Sequence, residues 1–253
     1  MNTVNVRNIE IGSGKPKVIV PIVAVTKEDI LKEAAEIASL PADVLEWRVD
    51  WFENSEDLAS VKDVLKGLRE VLGDMPILMT FRTKKEGGEK AISMQDYIDL
   101  NVEAAKSGLV DLVDVEIFSG DDTVSAILDG AHANGVKVVA SNHDFFKTPD
   151  QDDIVSRLVK MQEMGADICK IAVMPQNRRD VLTLLSATEK MANDIADRPI
   201  ITMSMAKDGV ISRLCGEAFG SSMTFGAAGK ASAPGQMNVE TLVQILDALH
   251  QAL

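Results

Sequence analysis

Hydrophobic and polar positions follow a repeated pattern along the chain, in which short apolar runs are separated by longer amphipathic segments. Runs of this kind, rich in β-branched residues, predict eight strands: 17–23, 43–49, 76–82, 111–117, 136–142, 167–173, 199–205 and 221–227. Most of the intervening segments have helical periodicity. Thr26 is typical of a helix N-cap, and Thr148 followed by Pro149 predicts another helix start, with Gly165 at its end.

The number and spacing of these units indicate the fold class. Eight strand–helix units in 253 residues favour an α/β protein with a (β/α)8 TIM barrel, formed as a single domain over residues 1–253. The alternative is a doubly wound open sheet, but no G-x-G-x-x-G sequence follows the first strand. The leading segment TVNVRNIEIGSG alternates and then turns. We therefore expect a short N-terminal β-hairpin that closes the bottom of the barrel.

Composition and charge narrow the classes of partner. Hydrophobic residues make up 46% of the chain, enough for a sizeable core. The formal net charge of -13 disfavours nucleic acid and anionic membranes, because both bind clustered Lys and Arg. No run approaches the roughly eighteen apolar residues of a membrane span, and the N-terminus has no apolar signal-peptide region. We therefore expect a cytoplasmic protein that binds neither nucleic acid nor a membrane.

Cysteine and histidine spacing bears on redox state and metal binding. Cys169 and Cys215 are far apart and form no C-x-x-C pair, so free thiols in a reducing compartment are expected. The three histidines are spread along the chain, and none has a histidine partner four residues away. We therefore expect no metal site.

Charged and titratable side chains lie near the carboxyl ends of the predicted strands, where a TIM barrel carries its active site. The period of two places Glu46 and Arg48 on one face of the second strand, and Asp114 and Glu116 on one face of the fourth. Further candidates follow along the later strands and their loops: Arg82, Glu86, His143, Lys170 and Arg213. So many ionisable groups at one level indicate a functional site rather than a solvated rim.

Lys170 lies in the middle of the apolar run GADICKIAVMP, where an ammonium group is costly to bury. One interpretation is that its stem reaches water at the strand end. The other is a catalytic amine whose pKa is lowered by burial and by nearby arginines. Asp114 and Glu116 would oppose that shift, or act as structural counter-ions of the arginines.

The candidates together suggest a type of chemistry. His143 is the natural general acid and base near neutral pH, and Glu86 can orient its ring. Arginines bind carboxylates through two parallel hydrogen bonds. A nucleophilic lysine beside these groups suggests Schiff-base chemistry on a carbonyl compound that carries a carboxylate.

Several sequence blocks carry a resemblance to a known family. DVEI at 114–117 is followed by VVASNHD at 138–144, which is similar to the family's signature around its histidine. Other matching blocks occur in family order: EWRVD, TFRTKKEGGE, DICKIAVMP, ITMSM, GVISRLCGEAFGS and KASAPGQ. Over nearly its whole length the chain resembles the type I 3-dehydroquinate dehydratases of the shikimate pathway.

The resemblance implies an activity and a set of site residues. Members dehydrate 3-dehydroquinate, a small molecule, to 3-dehydroshikimate in aromatic amino-acid biosynthesis. By resemblance Lys170 forms an imine with the substrate ketone, His143 acts as general base and then general acid in a syn elimination, and Glu86 orients His143. Arg213 is similar to the residue that binds the substrate carboxylate. The other implied substrate contacts are Glu46, Arg48, Arg82, Met203, Met205, Phe225, Ser232 and Gln236. The resemblance also implies a homodimer, no cofactor and no metal.

One position and two rival functions qualify this interpretation. Pro21 stands where some members have a serine whose hydroxyl contacts substrate, so one contact is expected to be lost. A class I aldolase on the same barrel would also use Lys170, but a phosphosugar needs a phosphate site near the last two strands. There Arg213 and KASAPGQ suit a carboxylate and hydroxyls better. A barrel that only senses an acidic metabolite would not require both Lys170 and His143.

Overall fold

A computed structural model describes residues 2–229 and 232–253. Lys230 and Ala231, the first residues of KASAPGQ, lie outside the described residues. Two short antiparallel strands form the N-terminal hairpin, β1 (Val4–Val6) and β2 (Ile9–Ile11). The barrel strands are β3 (Lys17–Ile22), β4 (Val44–Arg48), β5 (Ile77–Thr80), β6 (Leu112–Glu116), β7 (Lys137–Asp144), β8 (Ile168–Val173), β9 (Ile200–Ser204) and β10 (Met223–Phe225).

The eight barrel strands form one parallel sheet in the order β10-β3-β4-β5-β6-β7-β8-β9. A bridge between Ile200 and Ser221 links the two ends of that order. The strands alternate with helices, which are α1 (Lys27–Ile37), α2 (Leu58–Leu72), α3 (Met94–Lys106), α4 (Asp121–His132), α5 (Gln151–Glu163), α6 (Arg178–Lys190), α7 (Val210–Leu214), α8 (Gly216–Phe219) and α9 (Val239–His250). The predicted (β/α)8 barrel and N-terminal hairpin are confirmed.

Among the described residues, side chains cap the N-termini of α1, α2, α3, α6 and α9, whereas α4, α5, α7 and α8 have no side-chain cap. The Thr26 hydroxyl accepts the N–H of Asp29 at the start of α1, as predicted. The predicted start of α5 at Thr148 and Pro149 is wrong, because Asp150 is still extended and the helix begins at Gln151. The carbonyl of Lys147 accepts the N–H of Met174 at 3.2 Å, which ties this segment to the end of β8. That contact keeps the chain out of the helix for longer than the sequence pattern indicates.

The side chains inside the barrel form an apolar lower layer and a largely polar upper layer. In the lower layer each strand contributes one buried apolar residue: Ile19, Val44, Leu78, Leu112, Val139, Ile168, Ile201 and Met223. The hairpin side chains Val4, Val6 and Ile11 pack into the same cluster. Two residues further along each strand come Pro21, Glu46, Thr80, Asp114, Ser141, Lys170, Met203 and Phe225. The polar upper layer therefore lies directly above a buried apolar layer, which forms the floor of the barrel.

Outward-facing strand residues pack against the helices. Trp47 and Cys169 are both fully buried in the cluster that the strands share with the helices. They neighbour Glu46 and Lys170 in sequence but point to the opposite face, so β4 and β8 are polar inside and apolar outside at this level. In the described part of the chain, no helix has the length and hydropathy required to cross a membrane.

Candidate active site

A cavity of about 240 Å³ opens at the carboxyl end of the barrel. The site residues proposed from the sequence all line it: Glu46, Arg48, Arg82, Glu86, His143, Lys170, Met203, Met205, Arg213, Phe225, Ser232 and Gln236. They come from β4, β7, β8, β9, β10, the short helix α7 and the segments that follow the strands. The fold thus brings together residues from most of the length of the chain, while the role of each one stays a prediction.

Lys170 projects from β8 into the cavity and is only 3% exposed. Its Nζ lies 3.6 Å from Asp114 Oδ2 and 4.0 Å from Glu46 Oε1. The same nitrogen is 4.5 Å from the centroid of the Phe225 ring. The amine is therefore held inside the barrel rather than carried to bulk water by its stem.

The charge state of Lys170 is set by competing neighbours. Burial lowers the pKa of this amine, because the charged form loses its hydration. Asp114 and Glu46 oppose the shift, and Arg82 and Arg48 reinforce it. The net direction is downward, which increases the fraction of neutral amine available as a nucleophile.

His143 and Glu86 form a hydrogen-bonded pair at the cavity wall. His143 Nδ1 lies 2.9 Å from Glu86 Oε2, and the backbone N–H of His143 donates to the same oxygen at 2.9 Å. Burial, followed by the charges of Arg82, Lys170 and Arg48, holds the pKa of His143 well below its ordinary value. The imidazole is therefore neutral near pH 7. With its Nδ1–H directed at Glu86, the Nε2 lone pair can accept a proton.

Burial raises the pKa of Glu86 to about 7, against the lowering effect of Arg82. Glu116 and Asp114 raise it further by repulsion, and a hydrogen bond from Asn142 lowers it. Glu86 is therefore close to its midpoint of ionisation at neutral pH. The protonation of the Glu86–His143 pair is a shared property of both groups.

Arg82 is the centre of a buried ionic network. Its Nη2 donates to Asp114 Oδ1 at 2.8 Å, and its Nη1 donates to Glu116 Oε1 and to Ser141 Oγ, both at 3.0 Å. Burial opposes the charge, but Asp114, Glu116 and Glu86 outweigh it and hold the pKa of Arg82 well above its usual range. Asp114 and Glu116 are thus counter-ions of an arginine, as one interpretation of the sequence proposed.

The other two cavity arginines differ sharply in their partners. Arg48 donates through Nε and Nη2 to both carboxylate oxygens of Asp50, at 2.8 and 2.7 Å. Arg213 donates to the sulfur of Met203 at 3.5 Å and to the carbonyl of Pro234 at 3.1 Å, and its Nε has no partner. Burial lowers the pKa of Arg213 to about 10, and no charge in the described part of the chain offsets it. Arg213 is therefore a buried cation suited to an incoming anion.

The loop after β10 covers one side of the cavity. Gln236 accepts the backbone N–H of Ser232 at 2.8 Å and donates to the Ser232 hydroxyl at 3.0 Å. The carbonyl of Pro234 accepts from Arg213 and, at 3.3 Å, from the backbone N–H of Ala206. The loop thus contacts the Arg213 guanidinium through the carbonyl of Pro234.

Comparison with known proteins identifies the family. The model of the type I 3-dehydroquinases matches residues 18–252. The chain belongs to this family. It is 56% identical over 250 residues to the 3-dehydroquinate dehydratase of Clostridioides difficile (strain 630), which covers 99% of this chain and 98% of that protein. It is 55% identical over 252 residues to the enzyme of the same name from Salmonella typhimurium, with both chains fully covered. Membership makes the chain a hydro-lyase, an enzyme that removes water from its substrate.

Solved structures support the same assignment. A type I 3-dehydroquinate dehydratase from Clostridium difficile, described with covalent modified comenic acid, superposes with a TM-score of 0.98 at 55% identity. It covers 100% of this chain and 99% of its own. The 3-dehydroquinate dehydratase from Enterococcus faecalis gives a TM-score of 0.91 at 47% identity, with coverage of 97% and 98%.

Several supporting residues of this 3-dehydroquinase were missed by sequence reasoning. Asp50 holds Arg48, while the hydroxyl of Thr80 donates to Glu46 at 2.9 Å. The hydroxyl of Ser141 donates to Asp114 at 2.7 Å. Strand alternation would have identified Thr80 and Ser141, because they lie two positions before the cavity residues Arg82 and His143 and so share their face. Asp50 follows Arg48 by two residues, but the turn that returns its carboxylate has no sequence signal.

Two further positions bear on the predicted site, as does the distribution of metal-ligating side chains. Phe145 lines the cavity and stacks on His143 with ring centroids 6.3 Å apart. Pro21, expected to remove a substrate contact, is buried in β3 opposite Glu46 and does not line the cavity. Within residues 2–229 and 232–253, no cluster of three or more His, Cys, Asp or Glu side chains is arranged to hold a metal ion.

Proposed function

We propose that this 3-dehydroquinase dehydrates 3-dehydroquinate to 3-dehydroshikimate through an imine on Lys170, with His143 as the acid–base group. One observation carries the proposal: one cavity is faced by a buried amine, a neutral imidazole and the buried guanidinium of Arg213, which has no carboxylate partner in the described part of the chain. A hydroxy-ketone acid offers a matching group to each of them. The Clostridium difficile relative is described with covalent modified comenic acid, which supports a nucleophilic residue in this family.

Lys170 acts first, as the neutral amine. Its nitrogen attacks the substrate ketone to give a carbinolamine. The carbinolamine hydroxyl takes a proton from solvent and leaves as water, which yields a protonated imine. The nearby carboxylates of Asp114 and Glu46, at 3.6 and 4.0 Å from Nζ, stabilise that positive charge. The imine then withdraws electrons from the adjacent carbon and acidifies its C–H bond.

His143 next takes the proton from that carbon through Nε2, and the electron pair of the C–H bond forms an enamine. The same imidazolium returns its proton to the β-hydroxyl, which leaves as water when the enamine electrons form the new double bond. One imidazole on one face of the substrate serves both transfers, which is a syn elimination. Water then hydrolyses the imine and releases the product and Lys170.

The remaining cavity residues bind the substrate in this scheme. Arg213 pairs with the substrate carboxylate, because none of the described residues supplies a counter-charge to this buried cation. Glu46, Arg48 and Arg82 contact the ring hydroxyls. The apolar side of the ring packs on Met203, Met205 and Phe225, and the loop with Ser232 and Gln236 closes over the bound substrate.

The proposal extends to the molecule as a whole. The described barrel strands belong to one sheet, which supports a single domain over residues 1–253. We also propose a cytoplasmic homodimer, as the family resemblance implies. Sedimentation equilibrium of the purified chain tests the dimer, for which a monomer mass across the micromolar range would be the contrary result.

Borohydride trapping tests the chemistry. The protein is mixed with 3-dehydroquinate and reduced, and peptide masses are measured. We expect a stable adduct on the peptide that contains Lys170, absent in Lys170→Ala and retained in Lys160→Ala, whose lysine lies outside the cavity. Full activity in Lys170→Ala without an adduct would refute the imine. An adduct with other keto compounds but not with 3-dehydroquinate would favour an aldolase.

A further inference from the structure

The two oxygens of the Glu86 carboxylate have different hydrogen-bond partners. Oε2 faces His143, whereas Oε1 accepts a hydrogen bond from Asn142 Nδ2 at 3.1 Å. Asn142 is only 6% exposed and does not line the substrate cavity. It lines a second cavity instead, shared with Glu86 and His143. The acid–base pair therefore forms a wall with the substrate on one side and Asn142 on the other.

Asn142 is in turn held by Arg157 of α5. Arg157 Nη1 donates to Asn142 Oδ1 at 2.9 Å. Its Nε and Nη2 donate to the two carboxylate oxygens of Asp153 at 3.0 and 2.8 Å. The guanidinium carbon lies 5.9 Å from the centroid of the Phe118 ring. All three guanidinium nitrogens are thus engaged, and the group is fixed outside the barrel.

The chemistry of the two partners determines the direction of the Asn142 amide. An arginine can only donate hydrogen bonds, so the amide oxygen must face Arg157. The amide NH₂ group is then left facing Glu86, where it requires an acceptor. A carboxylate satisfies it and a carboxylic acid proton opposes it. Arg157 therefore acts through Asn142 to favour the ionised form of Glu86.

We infer that Asn142 and Arg157 are positioning residues, which hold the Glu86 carboxylate toward His143 from the side of the barrel that substrate does not reach. The inference rests on the proposed function, because it concerns the same proton transfers. It adds a contribution from α5, a helix that supplies no residue to the substrate cavity. Neither residue touches the reacting atoms.

The charges around the Glu86–His143 pair predict how loss of the Asn142 hydrogen bond would change the pH dependence of activity. The charged or titratable groups that face it are Arg48, Arg82, Lys84, Lys85, Asp114, Glu116, Asp144, Arg157 and Lys170. Burial raises the pKa of Glu86 to about 7, and the Asn142 hydrogen bond works against that increase. Without the bond the pKa of Glu86 moves higher. Activity is then lost first at acidic pH, because protonated Glu86 no longer accepts the Nδ1–H of His143.

The substitution Asn142→Asp tests this with almost no change in shape. The aspartate keeps an acceptor for Arg157 but presents an oxygen, and a negative charge, to Glu86. We expect the acid limb of the kcat profile to move up by about one pH unit, which makes kcat about tenfold lower than wild type near pH 6. Near pH 9, where Glu86 is ionised in both proteins, kcat differs less than about twofold, and KM stays within about twofold throughout.

Arg157→Met provides a second test at the protein surface. It removes the donor that fixes the Asn142 amide, so we expect the acid limb of the kcat profile to move to higher pH by less than in Asn142→Asp. Arg157→Lys should restore part of the wild-type profile. Arg198→Met is the matched control: Arg198 also donates through two nitrogens to one carboxylate, that of Asp197, but far from the cavity. Its profile is expected to coincide with that of wild type.

Three results would overturn the inference. One is an Asn142→Asp profile that coincides with wild type, and another is a loss that is equal at every pH, as a structural role would give. If Asn142→Asp does not fold, the Arg157→Met variant tests the inference instead. The third contrary result is a pH profile of kcat for Arg157→Met that coincides with that of Arg198→Met. Failure of the proposed function is separately visible, since wild type would then give no borohydride adduct at Lys170.

Discussion

Arg213→Met is expected to stabilise the fold while it removes tight substrate binding. Burial lowers the pKa of Arg213 from its ordinary value to about 10, which corresponds to a cost of about 3 kcal/mol for the buried charge. The sign follows from linkage: the folded-state pKa is depressed, so the full cost applies at neutral pH, where both states are charged. It disappears only above the unfolded-state pKa. Methionine fills a similar volume without a charge.

Part of that gain is lost with the hydrogen bond to Pro234. A charged donor to a carbonyl contributes about 2 kcal/mol, so the net increase in the free energy of unfolding is about 1 kcal/mol. For a domain of this size that raises Tm by roughly 2–4 °C. Urea and thermal unfolding at pH 7, without substrate, measure it.

Binding changes in the opposite direction. Removal of one partner from a buried charge pair costs about 2–5 kcal/mol, so KM for 3-dehydroquinate rises by roughly 10²-fold or more. Substrate then no longer raises Tm, whereas it stabilises the wild-type protein by mass action. The two effects together identify a cation whose counter-charge is the substrate.

Arg82→Met is the matched control, because it removes an equally buried arginine that has protein partners. Loss of Arg82 leaves Glu116 buried without its cation and leaves Asp114 with Lys170 alone, so we expect destabilisation by about 3–5 kcal/mol. The reasoning is refuted if Arg213→Met destabilises the fold to a similar extent, or if KM is unchanged.

Further outcomes follow from the same geometry. His143→Ala should lower kcat by about 10²–10⁴-fold, measured by enone absorbance, while borohydride still traps substrate on Lys170 because imine formation uses the amine. The kcat profile should fall with decreasing pH around an apparent pKa of about 7, since Glu86 must be ionised, and Glu86→Gln should remove that limb. Glu46→Gln should shift the pH dependence of Lys170 modification to lower pH, because it removes one of the charges that stabilise the ammonium form. Burial raises the pKa of the Cys169 thiol to about 12, so Ellman's reagent should leave it unmodified in the native protein, and labelling of Cys169 without unfolding would contradict its packing.

The barrel could be predicted from local patterns, because the hydrophobic positions of each strand and helix follow the period of that element. Trp47 and Cys169 alternate outward next to inward Glu46 and Lys170, as the period of two requires. The start of α5 could not be predicted, because it depends on the contact between Lys147 and Met174 across the end of β8. A local capping pattern contains no information about such a contact.

The members of the site were predictable, but their partners were not. Parallel strand ends meet at one face of a barrel, so polar residues at those positions converge whatever their identity. Which arginine is paired depends on side chains distant in sequence: Asp114 and Glu116 approach Arg82, while no acidic side chain among residues 2–229 and 232–253 forms an ion pair with Arg213. The sequence shows similar positions for these cations, and only the packing distinguishes them.

The N-terminal hairpin has a consequence for the order of assembly during synthesis. Its side chains Val4, Val6 and Ile11 leave the ribosome before any barrel strand, yet the floor against which they pack includes Met223 of β10, one of the last elements made. The hairpin therefore cannot complete its docking until the ring is nearly finished, and its apolar face stays without its full partner until then. A nascent chain stalled before β10 exposes the apolar face of the hairpin and the open lower end of the barrel. Exposed apolar surfaces of this kind bind chaperones and promote aggregation.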